Sequence, residues 1–94
     1  MSRQKTYELG TAVKITTVLS LPSPTSVKIK IKDASNNVQV DFVSMTADTT
    51  TVYSYIYQSS TADDDGEYLV IIDAVYGSYT SRAITNFTLV DNDL

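Results

Sequence analysis

The stretch "SVKIKIKD", residues 26–33, decides the fold. Val27, Ile29 and Ile31 alternate with Lys28, Lys30 and Lys32. A period of two is the period of a β-strand, in which successive side chains point to opposite faces. One face carries three branched aliphatics and the other three ammonium groups. Such a strand needs a core on one side and water or a charged partner on the other.

The same period recurs in both directions along the chain. Upstream, Pro22 and Pro24 in "LPSPTS" lack the backbone donor that a strand ladder uses, so the chain turns there. Before them, "TAVKITTVL", residues 11–19, places Val13, Ile15, Thr17 and Leu19 on one face. A short strand at residues 6–9 ends at Gly10. Downstream, "ASNN" turns the chain into "VQVDFVS", residues 38–44, where alternation puts Val38, Val40 and Phe42 together. "TADTT" reads as a turn. "TVYSYIYQ", residues 51–58, sets Tyr53, Tyr55 and Tyr57 on alternate positions. After the loop "SSTADDDG" come "EYLVIIDAVY", residues 67–76, the turn "GSYT", and "SRAITNFTLV", residues 81–90. No segment shows the 3.6-residue period of a helix. Seven short antiparallel strands with regular turn signals predict an all-β, immunoglobulin-like β-sandwich over residues 1–94 as one domain. A small barrel is the other arrangement open to such a pattern.

Composition narrows the chemistry. The hydrophobic fraction is 43%, enough for a modest core in 94 residues. There is no cysteine, so no disulfide and no thiolate metal site. There is no histidine, and Ser or Thr nucleophiles therefore lack their usual base. The three glycines are isolated, which excludes a glycine-rich phosphate loop. We expect no enzyme and no cofactor. The net charge of −4 is opposite to the balance of a nucleic-acid binder. No run is long and apolar enough to span a membrane as a helix. The N-terminus has no apolar core of a signal peptide, and the expectation is a small protein kept in the cell that encodes it, or a domain cut from a longer chain.

Asp64-Asp65-Gly66-Glu67-Tyr68 resembles the D-x-G-x-Y signature before strand F of immunoglobulin domains. The resemblance implies a tyrosine corner, with the Tyr68 hydroxyl bonded to nearby backbone. Gly66 is expected at a positive φ. Val70 stands where antibody domains have cysteine, and strand C has no tryptophan, so Ile29 or Ile31 fills that volume. The chain therefore resembles the disulfide-free immunoglobulin-like modules of bacteria, archaea and their viruses. It is also similar to the second domain of macroglobulins, through Tyr7, Gly10, Val13 and Ile15, then Gly66, Tyr68 and Val70, then Phe87, Leu89 and Val90.

Inside such a sandwich the three tyrosines face the core, because a buried ring removes more apolar area from water than the Val52 or Ile56 of the opposite face. With Tyr68, Val70, Ile72 and Ala74 inward, Leu69, Ile71 and Val75 point outward. Phe87 and Leu89 inward leave Ile84 and Val90 outward. Leu69, Ile71 and Ile84 then share a face with Lys28, Lys30 and Lys32, which is the candidate protein-binding site. The acidic run Asp63, Asp64, Asp65 and Glu67, joined by Asp91 or Asp93, is a possible calcium loop, with an ordinary solvated turn the favoured reading and no metal expected. Tyr76 and Tyr79, flanking Gly77, are the candidate aromatics for a carbohydrate.

Free-standing domains of this fold and size resemble structural proteins of tailed viruses. That resemblance implies a capsid or tail protein as partner, a virion location and the option of a homo-oligomer. The alternatives are a cell-surface or adhesion module of a longer exported protein and a carbohydrate-binding domain.

Overall fold

The computed structural model describes residues 6–91 and is all-β. Eight strands follow in order: β1 (Thr6–Glu8), β2 (Ala12–Val18), β3 (Ser26–Lys32), β4 (Val38–Ser44), β5 (Thr46–Ala47), β6 (Val52–Gln58), β7 (Gly66–Tyr76) and β8 (Tyr79–Val90). They form a five-stranded sheet in the order β1-β8-β7-β3-β4 and a three-stranded sheet in the order β2-β6-β5. These two sheets make a β-sandwich rather than a barrel. Their inward side chains meet in one core: Val13, Ile15 and Tyr57 from the smaller sheet against Ile29, Ile31, Tyr68, Val70 and Leu89 from the larger. Ile29 and Ile31, the residues expected in the core of this strand, are both fully buried.

Three details differ from the reading of the sequence. The strands number eight rather than seven, because Thr46 and Ala47 pair with Ser54 and Tyr53 inside the stretch that reads as a turn. A two-residue pairing has no periodicity to detect, and the turn proper follows it, where the Thr49 hydroxyl accepts from the backbone N–H groups of Thr51 and Val52. Second, not every pair is antiparallel: β1 lies parallel to β8, with Thr6 opposite Thr88 and Glu8 opposite Val90.

The third difference lies in β4. Ile31 is opposite Val40 but Ile29 is opposite Val43, so three steps of β4 span two steps of β3. A bulge of this kind reverses the facing of the residues beyond it. Phe42 sits in it at φ +49° and is turned away from the core. A second irregularity sets Val38 opposite Lys32, outward and 45% exposed. Of Val38, Val40 and Phe42, only Val40 reaches the core. Met45, just beyond β4, joins it instead, its N–H donating to the Val27 carbonyl.

The tyrosine corner is formed. Tyr68 is fully buried and its hydroxyl donates to the Asp64 carbonyl at 2.7 Å. Gly66 has φ +121°, and a Cβ there would stand 2.8 Å from Cβ of Ala34. The Tyr68 ring stacks on Phe87 with centroids 5.2 Å apart. Tyr57 is buried beside it, while Tyr53 and Tyr55 pack on the margin of the core. All three thus face inward, as strand geometry requires, but only Tyr57 is enclosed.

Candidate protein-binding face

The outer face of the five-stranded sheet follows from two registers. Residues directly opposite each other in a ladder point to the same face. Lys30 is opposite Ile71, and Ile71 opposite Ile84. On one side of that row lie Lys32, Leu69 and Asn86; on the other lie Lys28, Asp73 and Arg82. All six residues singled out in the sequence, Lys28, Lys30, Lys32, Leu69, Ile71 and Ile84, therefore occupy one face. Ile84 is 63% exposed and Leu69 38%, while Ile71 is half-buried between Lys30 and Ile84.

The bulge of β4 adds Phe42 to this face. Lys30 Nζ lies 5.2 Å from the centroid of its ring, a cation–π contact of about 0.5–1 kcal/mol at an exposed site. A bulky residue at positive φ carries a strain of about 1–3 kcal/mol, and such outliers concentrate at sites where a side chain must be aimed. Phe42 also borders a shallow depression of about 320 Å³ with Ser26, Lys28, Asp73, Val75 and Arg82.

Charge on the face is lopsided. Arg82 grips Asp73 through two parallel bonds, Nε to Oδ1 at 2.7 Å and Nη2 to Oδ2 at 2.8 Å. This bidentate hydrogen bond holds the Asp73 carboxyl below the usual carboxylate value. The pair neutralises itself, and the three central rows are left with the three lysines. A chain of net charge −4 thus presents a local positive stripe interleaved with Ile71, Leu69, Ile84 and Phe42. Asp73 and Arg82 were missed by the sequence reading. A two-residue hairpin turn at Gly77-Ser78, with Tyr76 opposite Tyr79, fixes them as partners by counting outward. Phe42 carried no such signal.

The other candidates are placed differently. The acidic loop is a turn in which two carboxylates serve the protein's own donors: Asp63 Oδ2 accepts from the Ser60 N–H and the Tyr57 hydroxyl, and Asp64 Oδ2 from the Ser35 hydroxyl. Burial, reinforced by the hydrogen bond to Asp63, raises the pKa of Tyr57. Burial with the surrounding aspartates pushes that of Tyr68 up to about 12. Asp93 lies outside the described residues; among those described, no cluster of three acidic side chains stands where it could hold a metal ion. Tyr76 packs against the core and its hydroxyl donates to the Leu21 carbonyl at 2.7 Å. It therefore offers no free ring beside the exposed Tyr79.

No family model and no curated protein matches the chain. Solved structures share its fold. CopC from Methylosinus trichosporium OB3b superposes with a TM-score of 0.69 at 16% identity, over 99% of this chain and 89% of that one. The endo-β-1,4-mannanase from Thermotoga petrophila superposes with a TM-score of 0.67 at 14% identity, over 96% of this chain but only 18% of the mannanase. Likeness at such identities is a likeness of fold, the β-sandwich.

Proposed function

We propose that this protein is a non-catalytic interaction module that docks on an acidic protein surface through the outer face of its five-stranded sheet. The observation that supports this most is Phe42, held in a strained bulge so that its ring meets Lys30 on the outer face, in the row that continues to Ile71 and Ile84, instead of entering the core. Apolar groups supply affinity in such a face, and the lysines Lys28, Lys30 and Lys32 orient the approach of a negative partner. The setting we propose is a structural position in the particle of a tailed virus, as capsid decoration, head–tail joint or tail component. Its support is the analogy of fold and size to disulfide-free immunoglobulin-like virion proteins. The carbohydrate alternative is weakened by Tyr76, whose ring and hydroxyl are both engaged within the fold.

Ile71→Lys tests the proposal. The site is half-buried and Lys30 stands opposite, so the change costs about 1–2 kcal/mol and leaves the domain folded. The folded variant is expected to be lost from purified particles while the native chain is retained. Normal incorporation of a folded Ile71→Lys chain removes the face from the account.

A further inference from the structure

Sheet edges invite pairing with other chains, and proteins blunt them with bulges, charges, short strands or covering segments. The edges of this sandwich are treated unequally. β4, one edge of the larger sheet, has two register shifts and a residue at positive φ. β5 is two residues long, and β1 three. β2 carries the exposed Lys14 at its middle. β8 has none of these devices over most of its length. Its ladder with β7 runs from Tyr79 to Leu89 without a shift. On its other side β1 covers only Thr88 to Val90. Nine residues, 79–87, therefore show an unpaired edge among the described residues. The segment has no proline, and its one charge, Arg82, is turned toward β7 and neutralised by Asp73. Residues 79–86 are all exposed, including Ser81, Ala83 and Thr85, which point toward the smaller sheet but are not covered by it.

We infer that this edge pairs with the same edge of a second copy, as two antiparallel strands related by a two-fold axis. The sequence of the edge is suited to itself. Pairing about Ala83 uses all nine residues and sets Ser81 opposite Thr85, Thr80 opposite Asn86, and Arg82 opposite Ile84. No like charges stand directly opposite one another, and the rows between Thr80 and Asn86 hold only small or polar side chains apart from Ile84. An isologous contact of this kind closes on itself and leaves no further edge of β8 to propagate. The result is a continuous ten-stranded sheet. It places two copies of the lysine face side by side, although the inference stands on the edge alone and not on that face.

The test uses the full chain and substitutions on the side of β8 opposite the lysine face. Sedimentation of the native chain is expected to show a mass rising from 10.3 kDa toward twice that value as concentration approaches the millimolar range. Ser81→Lys/Thr85→Lys and Ser81→Glu/Thr85→Glu each place like charges opposite one another in two rows, and each is expected to remain monomeric. An equimolar mixture of the two is expected to dimerise. Ala83→Cys, the sole cysteine in its chain, is expected to form a disulfide dimer on oxidation at least ten times faster than Ile56→Cys on the other sheet. A native chain that stays monomeric at millimolar concentration overturns the inference. So does a mixture that fails to associate where the native chain dimerises, or equal oxidation of the two cysteine variants. A chain lacking residues 1–5 that dimerises where the full chain does not also overturns it, and gives the edge to those residues.

Discussion

Replacing Tyr68 with phenylalanine separates the hydroxyl of the tyrosine corner from its ring. The ring is fully buried and stacked on Phe87, and phenylalanine retains that packing. The hydroxyl makes one hydrogen bond, 2.7 Å to the Asp64 carbonyl. Asp64 is exposed, so water can take up its carbonyl once the phenol is gone. The loss is then that of one hydrogen bond, about 0.5–1.5 kcal/mol, rather than the larger cost of an orphaned buried acceptor. The same substitution removes a titrating group. Tyr68 ionises near pH 12 in the folded chain and near 10 when unfolded. A folded pKa above the unfolded one contributes stability that is fully present below pH 10. That stability is lost as pH rises through 12, at up to about 1.4 kcal/mol per pH unit per group. Urea unfolding of both proteins at a series of pH values from 7 to 12 is the assay. Tyr68→Phe should be weaker by the hydrogen bond at pH 7 and lose stability less steeply above pH 10, the remaining slope coming from Tyr57. A cost above about 3 kcal/mol at neutral pH, or an alkaline slope identical to the native one, refutes the reasoning.

Further outcomes follow from the same structure. Gly66→Ala combines a positive φ with a 2.8 Å approach to Ala34 and should lower stability by about 1–3 kcal/mol in thermal unfolding. Tyr57→Ala should cost about 3–5 kcal/mol and Tyr55→Ala less, since only the first ring is enclosed; equal costs in denaturant unfolding would contradict the burial described. Phe42→Gly relieves the strained φ and gives up the contact with Lys30, so its stability should stay within about 1 kcal/mol of native while particle incorporation falls. Millimolar calcium should leave the melting temperature where a chelator leaves it, because Asp63 and Asp64 already serve the donors of their own loop.

What the sequence reveals of this fold depends on how regular each strand is. β3 alternates in sequence and β7 is apolar almost throughout, but neither strand is interrupted, so the inward and outward sets of both are those of a period of two, which places Leu69, Ile71 and the lysines on one face. The tyrosine corner was legible only through the resemblance of Asp64–Tyr68 to the signature before strand F of immunoglobulin domains. β4 was not legible. "VQVDFVS" alternates from Val38 to Phe42 and breaks only at the apolar pair Phe42-Val43, contains no glycine to announce a bulge, and places the distortion on Phe42, a residue that gains nothing locally from φ +49°. Only pairing with β3 settles the register there, and pairing is a tertiary property. The open half of β8 left a fainter trace: Ser81, Ala83 and Thr85 are small or polar at positions that would be large and apolar in a covered strand. Charge partners on the candidate face, Asp73 and Arg82, become readable only once the hairpin turn has fixed the count.

The central claim is that the outer face of the five-stranded sheet meets another protein. A photo-crosslinking amino acid at Leu69, on that face, and another at Ile56, exposed on the opposite sheet, tests it within assembled particles. A covalent adduct is expected from position 69 to an acidic surface of a structural protein of the particle, identified by mass spectrometry, and none from position 56. Adducts from position 56 alone, or from neither position in particles that contain the protein, would contradict it.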